Sequence, residues 1–365
     1  MRKIRNNKIN ITKNIFRERG PQKSRHNFLR LDKNERVSRL NKRLFQKLIK
    51  KISHEDLTSY PELEPLYALL SKEDKLDKNC FVITPGSDGG IRLCFELFVK
   101  PNDKIITLSP TFAMVNIYSK IFQAQQFKVS YDEKLKLNIN EIYKHLKKKI
   151  SLLILANPNS PTGTLIEKSK IIKILKLAKK NKTAVLIDEA YYGFTNFTTM
   201  PLIKKFNNLI VVRTFSKSFG LAGLRGGYLA TNKFLAKQLF SLKPMYEINS
   251  IAVLIIKEFI KRKISKNYTR QTSVGKKFLL SNFKFNNLKY FDTHANFVHV
   301  DFKNKKNKIL SLFKKNKILF KGGPGVKKLE NYTRITTGPI NEMKKVANVI
   351  NKIYKKKKII LFFKS

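Results

Sequence analysis

Three short, nearly uninterrupted apolar runs set the narrowest limits on what this chain can fold into. Residues 150–156 read ISLLILA, 183–187 read TAVLI and 209–212 read LIVV. A strand with one wet face alternates apolar and polar residues, so a run without alternation must be covered on both faces. Between the first two runs, Ile171, Ile174, Leu175 and Ala178 fall at helical spacing within 168–180. Strand, helix and strand at this distance predict parallel βαβ units. The expected class is therefore α/β, a mainly parallel sheet covered by helices. At 365 residues the chain is long enough for a large core and more than one domain.

In open parallel sheets, ligands gather outside the carboxyl ends of the strands. The first run is followed by Asn157-Pro158-Asn159-Ser160-Pro161-Thr162-Gly163, the second by Asp188-Glu189-Ala190-Tyr191, and the third by Arg213-Thr214-Phe215-Ser216-Lys217. A fourth strand-like segment, CFVIT at 80–84, leads into Pro85-Gly86-Ser87-Asp88 and a helix with Ile91, Cys94, Phe95 and Phe98 on one face. A glycine-containing turn that opens a helix offers free N–H groups and a positive dipole end to a phosphate. A lysine and an aspartate at neighbouring strand ends beside such a cradle suggest pyridoxal phosphate. The lysine would form the Schiff base, and the aspartate would keep the ring nitrogen protonated.

Composition excludes several classes. Two cysteines rule out a disulfide scaffold, and Cys80 and Cys94 lack metal-ligand spacing. No apolar run approaches the ~20 residues of a membrane span. His294 and His299 flank Asn296-Phe297-Val298 without a carboxylate or cysteine to complete a site, so no metal is expected. The net charge of +51, from 76 Lys and Arg against 25 acids, would favour polyanions. The lysines are spread along the whole chain, however, and Lys, Asn, Ile and Phe are abundant while Trp is absent. That pattern fits compositional drift better than a nucleic-acid footprint. Residues 1–28 read as a basic exposed arm and 355–365 as a last strand or frayed tail. The expected location is cytoplasmic.

The stretch from Phe215-Ser216-Lys217-Ser218-Phe219-Gly220 to Arg225-Gly226-Gly227-Tyr228 closely resembles the Schiff-base motif of class I/II aminotransferases. Asn157–Gly163 resembles their N-P-x-x-P-T-G turn, Asp188–Tyr191 their D-E-A-Y strand end, and Arg334-Ile335-Thr336-Thr337-Gly338 their R-I-T-x-G segment. Tyr60-Pro61-Glu62 and Leu31-Asp32-Lys33-Asn34-Glu35 resemble motifs of the histidinol-phosphate aminotransferase branch. These segments stand in the family's order and span about residues 30–340.

The resemblance implies fold type I with a smaller α+β C-terminal domain. It divides the chain into an arm and joining segment at 1–54, a large cofactor domain at 55–255 and a small domain at 256–365. It also implies a homodimer with active sites at the subunit interface, acting on small amino-acid and oxo-acid substrates. Lys217 would hold the cofactor and shuttle the proton, Asp188 would bind the ring nitrogen, and Tyr191 would donate to the phenolic oxygen. Asn159, with Asn157 second, would share that oxygen; Ser160 stands directly before Pro-Thr-Gly, where many relatives have Asn. Ser87, Asp88, Ser216 and Arg225 would hold the phosphate, joined by Tyr60 from the other subunit, and Phe112 would stack on the ring. Arg334 would clamp the substrate carboxylate.

On the substrate side, Asn34 and Lys321 complete the set. Lys321 stands where the branch has an arginine, and Asn34-Glu35-Arg36-Val37 replaces Asn-Glu-Asn-Pro. A lysine binds phosphate as a point charge without the bidentate fork. A related amino donor or acceptor, acidic or phosphorylated, is therefore expected as readily as histidinol phosphate itself. The rivals to transamination are a decarboxylase of the threonine-phosphate type on the same scaffold, and a basic nucleic-acid-binding protein on a degenerate one.

Overall fold

The computed structural model describes residues 24–354; most of the basic N-terminal arm and all of the 355–365 tail lie outside them. The strands in chain order are β1 (Leu29–Arg30), β2 (Phe81–Thr84), β3 (Lys104–Ser109), β4 (Gln125–Ser130), β5 (Leu152–Ala156), β6 (Ala184–Asp188), β7 (Leu209–Thr214), β8 (Gly227–Ala230), β9 (Lys289–Phe291), β10 (Phe297–Asp301), β11 (Ile318–Leu319), β12 (Lys321–Gly322) and β13 (Tyr332–Thr336).

The three apolar runs are β5, β6 and β7, adjacent and parallel, and every residue of each is buried. They sit inside a seven-stranded sheet of order β2-β8-β7-β6-β5-β3-β4. The expected helix is Lys168–Lys180, with Ile171, Ile174, Leu175 and Ala178 as its buried residues. Two apolar clusters, one on each side, cover the sheet. One packs Ile106, Leu153, Leu155, Val185, Ile187 and Val211; the other packs Ile105, Leu152, Ile154, Leu186, Ile210 and Val212. The alternation of residue numbers between the clusters is the period-2 pleat, with both faces dry.

One strand departs from the parallel pattern. β8 runs antiparallel to both β7 and β2. The chain between β7 and β8 contains only a three-residue 3₁₀ turn, Ala222–Leu224. Without a crossover helix it can return only antiparallel. Two reversals leave β2 pointing the same way as β7, so the turn after β2 reaches the same edge as those after β5, β6 and β7.

A second, antiparallel sheet of order β12-β13-β10-β9 lies in the C-terminal third. Its core joins Val298, Val300 and Ile335 to Phe283, Phe313 and Met343 on flanking helices. Leu31 and Val37 belong to the same core, and β1 pairs with β11 in parallel. The segment just before residue 40 is thereby held against the C-terminal part of the chain.

Beneath the large sheet's edge, buried Arg213 binds two carboxylates, Asp74 at 2.6 Å and Glu189 at 3.0 Å. It also donates to the Tyr228 hydroxyl at 3.1 Å and lies 3.5 Å from the Tyr192 ring centroid. Removing one partner of a buried ion cluster strands the others without water. Arg213→Ala is expected to cost ~3–5 kcal/mol in equilibrium urea unfolding. A loss no larger than the ~0.5 kcal/mol typical of surface changes would show that this cluster does not brace the sheet.

Candidate active site

The carboxyl ends of β5, β6 and β7 and the turn after β2 open into one cavity of about 580 Å³. Strand direction puts Asp188, the last residue of β6, beside the stretch that follows β7 and carries Lys217. The cavity is closed on the far side by Asn34 from the N-terminal segment and by Lys321 and Arg334 from the smaller sheet. Ser87, Asp88, Phe112, Asp188, Tyr191, Ser216, Lys217 and Arg225 all line it. Most of the residues expected from sequence are thus brought together from six separate parts of the chain.

Asp188 is 6% exposed, and its Oδ1 accepts from the Ala190 N–H at 2.9 Å. Burial pushes its carboxyl up to about 7, against that hydrogen bond and the positive charge of Lys217. Lys217 is half-buried and donates from Nζ to the Lys33 carbonyl at 2.9 Å. Burial lowers its amine below the ordinary lysine range; Tyr191 opposes the shift and Arg334 adds to it. A carboxylate that lacks a close cation and an amine that is easily neutral suit a site whose positive charge is to be supplied by a ligand.

The turn after β2 forms an anion cradle. Gly86 has φ +76, and a Cβ there would come within 3.0 Å of Arg225 Nη2. Gly227 is pressed still closer, since a Cβ on it would lie 2.4 Å from the Gly86 carbonyl carbon. The two glycines let the Arg225 guanidinium approach the start of the helix Gly86–Phe98. Arg225 Nη1 donates to Ser216 Oγ at 3.4 Å, and the Thr214 hydroxyl donates to the same oxygen at 3.0 Å. Free N–H groups at a helix start, a hydroxyl and a guanidinium converge as a phosphate group requires.

On the opposite wall, Arg334 is buried and donates from Nη2 to the Asp32 carbonyl at 2.7 Å, while its Nε finds no partner among the described residues. Lys321 is exposed at the rim and is the direct cross-strand neighbour of Arg334. Asn34 donates to the Tyr191 hydroxyl at 2.8 Å and accepts from Thr336 Oγ1 at 3.0 Å, so it orients that phenol as well as lining the cavity.

Three expectations need correction or qualification. Neither Asn157 nor Asn159 reaches the cavity. Asn157 spends its amide on the Ile166 backbone, and Asn159 bonds to Thr111, Thr162 and the Pro110 carbonyl. These two side chains hold the turn's shape, and Ser160 is the residue that lines the cavity. Tyr60 is 74% exposed, lies outside the cavity of its own chain, and stacks on Tyr246 with centroids 4.1 Å apart.

Sequence reasoning missed other contributors. Asp32 and Glu35 line the cavity and are bound by Arg25 at 2.5 and 2.7 Å. Buried His299 is also the cross-strand neighbour of Arg334; its Nε2 meets the Pro161 carbonyl at 2.9 Å, and burial pushes its pKa down to about 3. It is a neutral structural ring that holds the Pro-Thr-Gly turn. Its only sequence signal was its place in a strand-like run. Among the described residues, no group of three or more His, Cys, Asp or Glu could hold a metal.

The profile of the family described as aminotransferase class I and II matches residues 38–353. A histidinol-phosphate aminotransferase of Clostridium novyi (strain NT) is 32% identical over 336 residues, which are 88% of this chain and 90% of that protein. One from Buchnera aphidicola subsp. Melaphis rhois is 33% identical over 314 residues, 83% and 87% of the two chains. The solved histidinol-phosphate aminotransferase from Sinorhizobium meliloti, in complex with pyridoxal-5'-phosphate, superposes with a TM-score of 0.79 at 20% identity over 89% of this chain and 90% of that one. The L-threonine-O-3-phosphate decarboxylase from Porphyromonas gingivalis shares the fold, with a TM-score of 0.70 at 19% identity over 90% and 100%.

The raised carboxyl pKa of Asp188 has a measurable consequence. In the cofactor-free protein the folded state binds the proton more tightly than the unfolded chain, so this group's stabilisation is present below about pH 4 and is lost as pH rises to about 7. Cofactor-free Asp188→Asn is expected to remove that component, making stability flatter with pH between 4 and 7 in urea titrations. An unchanged slope would assign it to another group.

Proposed function

The chain belongs to the class I and II aminotransferases, and from that premise we propose that it transfers an amino group between an L-amino acid and a phosphorylated or acidic carbonyl acceptor of the histidinol-phosphate class. It is a pyridoxal-phosphate enzyme of the histidinol-phosphate aminotransferase branch. The observation that carries the acceptor class is the cross-strand pair Lys321–Arg334. Like charges directly opposite on a sheet repel. At the wall of a cavity whose other cradle takes the cofactor's phosphate, they favour a substrate with a strongly anionic end.

The residues fit the cofactor. Arg225, Ser216 and the N–H groups of Ser87 and Asp88 would hold its phosphate, Asp188 its ring nitrogen, Tyr191 its phenolic oxygen and Lys217 its aldehyde carbon. Phe112 would cover the ring. Bound there, pyridoxal phosphate supplies an electron-accepting ring that carries the amino group between the two substrates. Asp188, whose buried carboxylate lacks a close cation, would pair with the ring nitrogen and favour its protonated form. Lys217, with an amine made less basic by burial, takes the proton from the substrate α-carbon at Nζ. Tyr191 is aimed by Asn34. Arg334, with Nε still free, binds the substrate carboxyl or phosphate end, and Lys321 adds a point charge.

A homodimer and a cytoplasmic location belong to the same reading. Tyr60, Tyr246, Met245 and Leu57 expose large apolar or aromatic surface, which supports a subunit contact that carries Tyr60 to the partner's cradle. Cys80 and Cys94 are buried and unpaired, and no described helix is long and apolar enough to cross a membrane.

Lys217→Ala is expected to lose both the cofactor's visible absorbance band and turnover. The wild-type band should be bleached by one amino donor without release of carbon dioxide, whereas carbon dioxide release would favour the decarboxylase reading. Arg334→Lys is expected to raise KM at least ~10-fold with little change in cofactor affinity, because one fork becomes one point charge. An unchanged KM would remove Arg334 from the substrate's anionic end.

A further inference from the structure

A second cleft, of about 280 Å³, lies behind the active site between the loop after β6, the long helix Ile264–Phe285 and the turn after β13. One face of that helix lines it through Lys266, Thr269, Arg270, Ser273 and Lys276, at intervals of three and four residues. Gly193, Phe194 and Asn196 form the opposite wall, with Thr337 at its base.

The charges in this cleft are not balanced by the protein. The helix Ile264–Phe285 contains no acidic residue. Lys276 pairs with Asp292 at 2.6 Å and also donates to the Thr293 carbonyl. Lys266 and Arg270 have no ion-pair partner among the described residues, and they stand four apart on one helix face, where like charges repel. Thr337, fully buried, presents a hydroxyl oxygen with no hydrogen-bond partner among the described residues. A buried hydroxyl left unpaired is costly unless something outside the chain completes it. No carboxylate lines the cleft.

We infer that this cleft is a second anion site, taking a phosphate-class oxyanion between Lys266, Arg270 and the Thr337 hydroxyl. A tetrahedral oxyanion accepts from both cations and from the hydroxyl at once, and its charge removes the repulsion along the helix. It is separate from the phosphate cradle at Gly86 and from the Lys321–Arg334 wall. It is also close to them in sequence, since Gly193 follows Tyr191 by two residues and Thr337 follows Arg334 by three. An anion held there would tie the loop after Tyr191 to the long helix. The ligand is either inorganic phosphate or the phosphate group of a small monoester.

The test is calorimetric titration of the pyridoxal-phosphate-saturated enzyme, whose cofactor fills the first cradle. The titrants are inorganic phosphate and, separately, glycerol 3-phosphate, at ionic strength held constant with sodium chloride. A saturable site is expected in the wild type and is retained in Lys321→Ala, which weakens only binding at the substrate wall. In the double variant Lys266→Gln/Arg270→Gln, affinity should fall at least ~10-fold with turnover at low phosphate unchanged, and Thr337→Val should weaken binding without a change in charge. Binding of inorganic phosphate identifies the free ion as sufficient, and binding of the ester alone identifies a phosphorylated metabolite; both uphold the site. Failure of both titrants to saturate, equal affinity in the double variant, or loss of binding in Lys321→Ala would overturn it.

Discussion

Arg213 is the brace on which the catalytic edge rests. Its guanidinium joins Glu189 just after β6, Asp74 at the end of the helix Glu64–Asp74, and Tyr228 on β8. A buried cation tolerates no arrangement that leaves it unpaired, so these elements have one way to meet. Asp188 and Glu189 are consecutive, yet one faces the cavity and the other the brace. The sheet edge therefore keeps its bracing charges beneath and its cavity-facing charges above. Lys217 inherits its place from the same strand end, four residues beyond Arg213.

The two kinds of cation in this lysine-rich chain do different work. Among the described residues, Arg213 and Arg334 are buried, and no lysine is. A guanidinium is weakly hydrated and can satisfy several acceptors in a plane, whereas an ammonium gives up strong hydration on burial. The dispersed lysines set the net charge, Arg213 braces the sheet, and Arg334 and half-buried Lys217 line the cavity.

Much of the large sheet was legible in the chain because its strands are buried on both faces and carry no competing pattern. The helix Lys168–Lys180 was legible for the complementary reason, a clean apolar stripe. β3, β4 and the short strands of the second sheet were harder to see. Strands such as Gln125–Ser130 are mixed in polarity, and two-residue strands such as Lys321–Gly322 have too few residues to show a period. In the site, residues whose side chains end in the cavity were found through their motifs. Asn157 and Asn159 were misplaced because an amide that braces a turn and an amide that meets a ligand look alike in a motif. His299 was missed because its partner, the Pro161 carbonyl, is 138 residues away, and Arg25 because no helix or strand period brings it to Asp32 and Glu35.

The sequence by itself determined that β5, β6 and β7 are parallel and buried, which edge collects the motif residues, and that a lysine, an aspartate and a glycine turn meet there. Local pattern suffices for this, because strand direction and the pleat follow from periodicity and connection length. Only the tertiary structure decided which side chains point into the cavity, how far burial moves Asp188 and Lys217, and that Lys321 and Arg334 stand opposite one another. Those are properties of contacts between separate segments, from the neighbouring strands that carry Lys321 and Arg334 to Lys217 and Lys33, 184 residues apart. Desolvation and like-charge repulsion act through space, and no local stretch of chain records them.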